Sequence, residues 1–125
     1  MKLRIKGNSM RLRVSPSEMK RLLSAGRIEE VIHFGPAPDA RLTYALEQAP
    51  SEDEMTVRYR PQEVTVILSA GNARAWAEGD EVGIYGSFNV GNGQLELVVE
   101  KDFACLDKKD GNEDTFPNPK GAQAC

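Results

Sequence analysis

A chain of 125 residues with 40% apolar and 28% charged side chains is long enough for one hydrophobic core and too short for two. Sixteen lysines and arginines against nineteen aspartates and glutamates leave a formal charge of −3 and a pI near 5.2, a balance that argues against nucleic acid as a partner. No apolar run approaches the roughly 20 residues of a spanning helix. The basic start Met1-Lys2-Leu3-Arg4-Ile5-Lys6 lacks the apolar stretch of a signal peptide, so a cytoplasmic protein without membrane contact is expected.

Leu3 and Ile5 alternate with Arg4 and Lys6, which predicts a strand over residues 2–6. Gly7-Asn8 supplies a tight turn. A second strand over 9–14 puts Met10, Leu12 and Val14 toward a core and Arg11 and Arg13 opposite. Ser15-Pro16-Ser17-Glu18 is a capping box with proline at the first helical position, and Met19, Leu22 and Leu23 give the helix one apolar stripe before Gly26 ends it. A strand over 28–34, the stiff loop Gly35-Pro36-Ala37-Pro38-Asp39 and a strand over 42–48 follow. The run Pro50-Ser51-Glu52-Asp53-Glu54 reads as a solvated connection.

The plan then recurs. Val57 and Tyr59 alternate with Arg58 and Arg60, Pro61-Gln62 turns the chain, and Val64, Val66 and Leu68 line the next strand. Asn72 is the expected cap of a short helix from Ala73 to Glu78, closed by Gly79. Val82, Ile84, Gly86, Phe88 and Val90 share a face, and Gly91-Asn92-Gly93 returns the chain through Leu95, Leu97 and Val99. Leu3–Ser15 lies without a gap over Val57–Ser69, and Leu42–Glu47 lies over Leu95–Glu100 once a single residue is gapped. The expected fold is α+β, mainly antiparallel β with two short helices. It has two similar ββαββ halves (2–48 and 55–102) in one domain over 1–103, which could close into a pseudo-two-fold eight-stranded barrel. Residues 104–125 are expected to form a partly mobile tail that packs on the sheet through Cys105, Phe116, Pro117, Asn118 and Pro119.

Both ends of the chain carry a resemblance. Lys2-Leu3-Arg4-Ile5-Lys6-Gly7-Asn8-Ser9 near the start, and Glu100-Lys101-Asp102-Phe103-Ala104-Cys105-Leu106 followed by Phe116-Pro117-Asn118-Pro119, resemble a family of small uncharacterised bacterial proteins, a domain of unknown function. The likeness covers nearly the whole chain and implies no activity, ligand or catalytic residue.

The chemistry-bearing residues are few. His33 is the single histidine and lies in a strand-like run, so a Ser-His-Asp arrangement has no convincing base. With Cys105 and Cys125 it makes only three candidate zinc ligands, too few for a closed site, and no metal or cofactor is expected. A Cys105–Cys125 disulfide would close a loop of about 20 residues and fasten the tail, though free thiols are the rule in a reducing compartment. One constellation stands out: Arg4, Lys6, Arg11 and Arg13 opposite the core residues of the first hairpin, with Arg58 and Arg60 at matching positions of the second half. Guanidinium groups on one sheet face suit phosphate or carboxylate recognition, against a plain reading as solvated surface. The expected function is a binding or protein-interaction module for a small anion or a protein partner, a homodimer included, rather than an enzyme. The alternative is a phosphohydrolase-like enzyme with a metal held by Glu47, Glu96 and Glu100.

Overall fold

The chain doubles back where residues take up positive φ. Gly7 (55°), Gln62 (68°) and Gly91 (98°) sit in three of its hairpin turns. In the computed structural model, which describes residues 1–103 and 114–117, the order is β1 (Lys2–Lys6), β2 (Ser9–Val14), α1 (Pro16–Ala25), β3 (Arg27–His33), β4 (Arg41–Ala49), β5 (Met55–Arg60), β6 (Glu63–Ser69), α2 (Ala70–Glu78), β7 (Gly83–Asn89) and β8 (Gln94–Lys101).

The capping box opens α1: the Ser15 hydroxyl accepts from the Glu18 amide at 3.3 Å, and the Glu18 carboxylate accepts from the Ser15 amide at 3.0 Å. Gly26, at φ 84°, closes the helix in the left-handed region. The second helix starts three residues before its expected position. Its cap is Ser69 rather than Asn72, with the Ser69 hydroxyl accepting from the Asn72 amide at 3.2 Å. Ser69 is the residue that aligns with Ser15, so the two helices begin alike.

The strands form two four-stranded sheets, ordered β1-β2-β8-β7 and β3-β4-β6-β5. Each sheet takes one hairpin from each half of the chain. Outer pairs are antiparallel, while the central pairs β2–β8 and β4–β6 are parallel. The halves match down to register. Ser9 opposite Glu96 corresponds to Glu63 opposite Thr43, and Arg13 opposite Glu100 corresponds to Ile67 opposite Glu47. The β3–β4 and β7–β8 hairpins break the uniform spacing, because Arg27 pairs with Glu47 but Gly83 pairs with Glu100. The second half has three extra residues after its helix and a hairpin loop shorter by three.

The barrel that two such halves could form is not closed. The sheets face each other as separate layers, and side chains rather than ladder hydrogen bonds span the gaps between their edges. Met55 of β5 reaches β7 where Gly86 leaves room, for a Cβ on Gly86 would stand 2.7 Å from the Met55 terminal methyl. At the matching edge the Met1 ammonium binds Glu30 of β3 at 2.7 Å and also pairs with Glu18 of α1. Leu12, Val14, Leu97 and Val99 of one sheet and Ile28, Leu46, Met55, Val66 and Leu68 of the other form one core with Met19, Leu22, Ala73 and Trp76 of the helices. The Trp76 indole donates to the Val82 carbonyl at 3.1 Å, which satisfies its buried N–H.

Candidate functional site: the outer face of the first sheet

The alternation that buries Leu12, Val14, Leu97 and Val99 turns the opposite face of β1-β2-β8-β7 outward. Register aligns Arg4, Arg11, Val98 and Tyr85 in one row across the four strands. Lys6, Ser9, Glu96 and Ser87 form the next row, and Lys2, Arg13, Glu100 and Gly83 the third. Arg4, Lys6, Arg11 and Arg13 therefore share a face, as the alternation implies. Arg58 and Arg60 do not join them. They lie on the outer face of the second sheet, beyond the shared core, because the β5–β6 hairpin that carries them pairs into that sheet.

The two outer faces treat their charges differently. On the second sheet Arg27 binds Glu29 at 2.8 Å, Glu47 at 2.5 Å and Glu63 at 3.2 Å, and Arg58 binds Glu47 at 3.2 Å. Arg27 spans two strands to reach Glu63, and Ala45 and Thr65 in the row between are 1% and 0% exposed. Burial pushes the Glu47 carboxyl up, but hydrogen bonds from the Arg27 and Arg58 guanidiniums outweigh it and hold the group below the usual carboxylate range.

On the first sheet Glu100 is the counterpart of Glu47, and Arg4 that of Arg58. Here β2 carries Arg11 and Arg13 where β6 carries Thr65 and Ile67. Those two guanidiniums take up Glu100, at 3.5 Å and 3.0 Å. Lys2 pairs with Asp102 at 2.9 Å. Arg4 and Lys6 are left without a carboxylate partner among the described residues, and Arg4 stands directly across the ladder from Arg11. These side chains border a concavity of about 390 Å³ together with Ser9, Glu96 and Val98.

Glu47, Glu96 and Glu100 do not converge, since Glu47 lies on the other sheet and is already held by two arginines. Among the described residues no three His, Cys, Asp or Glu side chains are placed to hold a metal ion. His33 ends β3 in an exposed position. Phe116 packs against the core: its amide donates to the Asp102 carbonyl at 2.8 Å, and its ring meets Phe103 edge-on at 6.2 Å. Pro117 is exposed. Cys105, Asn118, Pro119 and Cys125 lie outside the described residues.

Tyr85 escaped the sequence reading although it belongs to this face, 61% exposed on the edge strand. The signal was present in its alternation with Ser87 and Asn89 against Ile84, Gly86 and Phe88. Among the described residues no helix is long and apolar enough to cross a membrane. The family described as "Family of unknown function (DUF7009)" matches residues 1–120. No curated protein and no solved structure matches the chain.

Proposed function

We propose that this chain, which belongs to the Family of unknown function (DUF7009), is a cytoplasmic binding module whose first sheet takes up a small anionic ligand on its outer face. The carrying observation is that, among the described residues, Arg4 and Lys6 have no carboxylate partner while Arg58, in the place equivalent to Arg4, has one. Like charges directly opposite each other in an antiparallel pair are destabilising, and Arg4 faces Arg11 in that way. A phosphate or carboxylate between them relieves the repulsion and accepts the planar fork of donors each guanidinium presents. Ser9 borders the same concavity, with its hydroxyl already donated to the Lys6 carbonyl at 2.6 Å.

Titration with inorganic phosphate, pyrophosphate and citrate, read as a shift in melting temperature, tests this. A ligand that prefers the folded state raises the midpoint by mass action. The double substitution Arg4→Ala with Lys6→Ala abolishes the shift, whereas Arg60→Ala on the opposite sheet preserves it. A midpoint unmoved by all three anions, or a shift that survives the loss of Arg4 and Lys6, contradicts the proposal.

A further inference from the structure

The row that carries Arg4 and Arg11 ends in an aromatic ring. Tyr85 is 61% exposed on β7, and Val98 lies between it and Arg11 as an apolar floor. It is the single aromatic of this face among the described residues, while Trp76 is buried in the core. Neighbouring strands stand roughly 4.8 Å apart, so about 10 Å separates the Arg11 strand from the Tyr85 strand. That is the span from an aromatic base to the phosphates on its sugar. An open four-stranded sheet with an exposed aromatic beside cations is an arrangement suited to stacking a base while holding its phosphate. Glu96 stands in the adjoining row, where its carboxylate accepts from Ser87 at 3.0 Å. A carboxylate so placed also suits a ribose hydroxyl.

We infer that the ligand of this face is a nucleoside phosphate, its phosphates on Arg4, Lys6 and Arg11 and its base stacked on Tyr85. The inference rests on the anion-binding reading above and names the ligand class. The same moiety occurs in free nucleotides and in single-stranded nucleic acid. The chain's net charge of −3 works against a polyanion, so the free nucleotide is the assigned source. The opposite outer face offers no such row, since the strand positions there carry Glu29, Ala45, Thr65 and Arg58.

Calorimetric titration of the whole chain with pyrophosphate, adenosine diphosphate and a short single-stranded adenylate oligoribonucleotide separates the terms. Adenosine diphosphate binds roughly tenfold more tightly than pyrophosphate, the scale expected from one base stacked on one aromatic ring. Tyr85→Ser brings it down to the pyrophosphate level without altering pyrophosphate binding, and Tyr85→Phe retains the gain. An oligonucleotide bound more tightly than the diphosphate supports the same contacts and assigns them to a single strand. Pyrophosphate binding with no gain for the diphosphate, or a Tyr85→Ser effect equal on both, overturns this inference alone. Failure of every one of these ligands to bind overturns the anion-binding reading with it.

Discussion

Glu47 and Glu100 occupy one position of the two halves, yet their surroundings differ through single residues. Arg27 stands beside Glu47 where Gly83 stands beside Glu100, so the second carboxylate draws its guanidiniums from β2 instead. The partners of Glu47 were not readable from sequence, because Arg27 lies 20 positions away and reaches it only through the β3–β4 register. Its lowered pKa has a consequence whose sign is open to measurement. A carboxyl whose folded-state pKa is lowered contributes stability above its ordinary value, roughly 4.3, and loses that contribution as pH falls through the folded value. The Met1 ammonium behaves oppositely. Burial lowers its pKa, but Glu18 and Glu30 outweigh burial and raise it above 8.0, so its contribution is complete below that pH and is lost as pH rises through the folded value. The unfolding midpoint of the 125-residue chain should therefore fall on both the acid and the alkaline side. Glu47→Gln should make the acid fall shallower between about pH 5 and 3 and leave the alkaline fall alone. An unchanged acid limb in that variant would move the acid sensitivity away from the Arg27–Glu47–Arg58 cluster.

Each helix begins on a serine cap. Ser15→Ala should lower stability by roughly 0.5–2 kcal/mol through loss of an amide acceptor, and Ser69→Ala by a similar amount. Denaturant unfolding of the two variants reads both values, and an unchanged midpoint for either would mean that its hydroxyl is dispensable. The first helix was legible to the residue because proline, the capping box and Gly26 all mark it. The second was not, because Gly71 is a poor helix former and Asn72 is an attractive local cap. Only its equivalence to Ser15 pointed to Ser69. At the opposite ends the halves are again alike: Gln48 donates to the Leu23 carbonyl at 3.1 Å and Lys101 to the Gly79 carbonyl at 2.8 Å, each side chain closing the last turn of its own half's helix. Lys101 also stands 5.5 Å from the centre of the Phe116 ring, a cation–π contact that accounts for a lysine only 7% exposed.

Across the molecule, the class of fold and the two ββαββ halves could be read from alternation and turn chemistry, while the assembly of the hairpins could not. Nothing local in Ser9–Val14 indicates a parallel partner in Gln94–Lys101, since that choice is made by which apolar faces meet across the core. The same blind spot affected the site. Alternation placed Arg4, Lys6, Arg11 and Arg13 together, but the pairing of β6 with β4 carried Arg58 and Arg60 to the other sheet, and Tyr85 was brought in by the pairing of β7 with β8. The two parallel central pairs also differ in the length of chain they enclose. Thr43 meets Glu63 only 20 positions on, whereas Ser9 meets Glu96 across 87. By loop-closure entropy the longer circuit is costlier by about 1 kcal/mol, so the second sheet should nucleate first and the first sheet close last. Conservative truncations should show this in refolding kinetics. Val66→Ala in β6 should slow folding, while Val99→Ala in β8 should chiefly speed unfolding, and the reverse pattern would exclude this order. The face proposed to take up ligand would then be the last part of the protein to come into being, and the first to vanish when the fold begins to open.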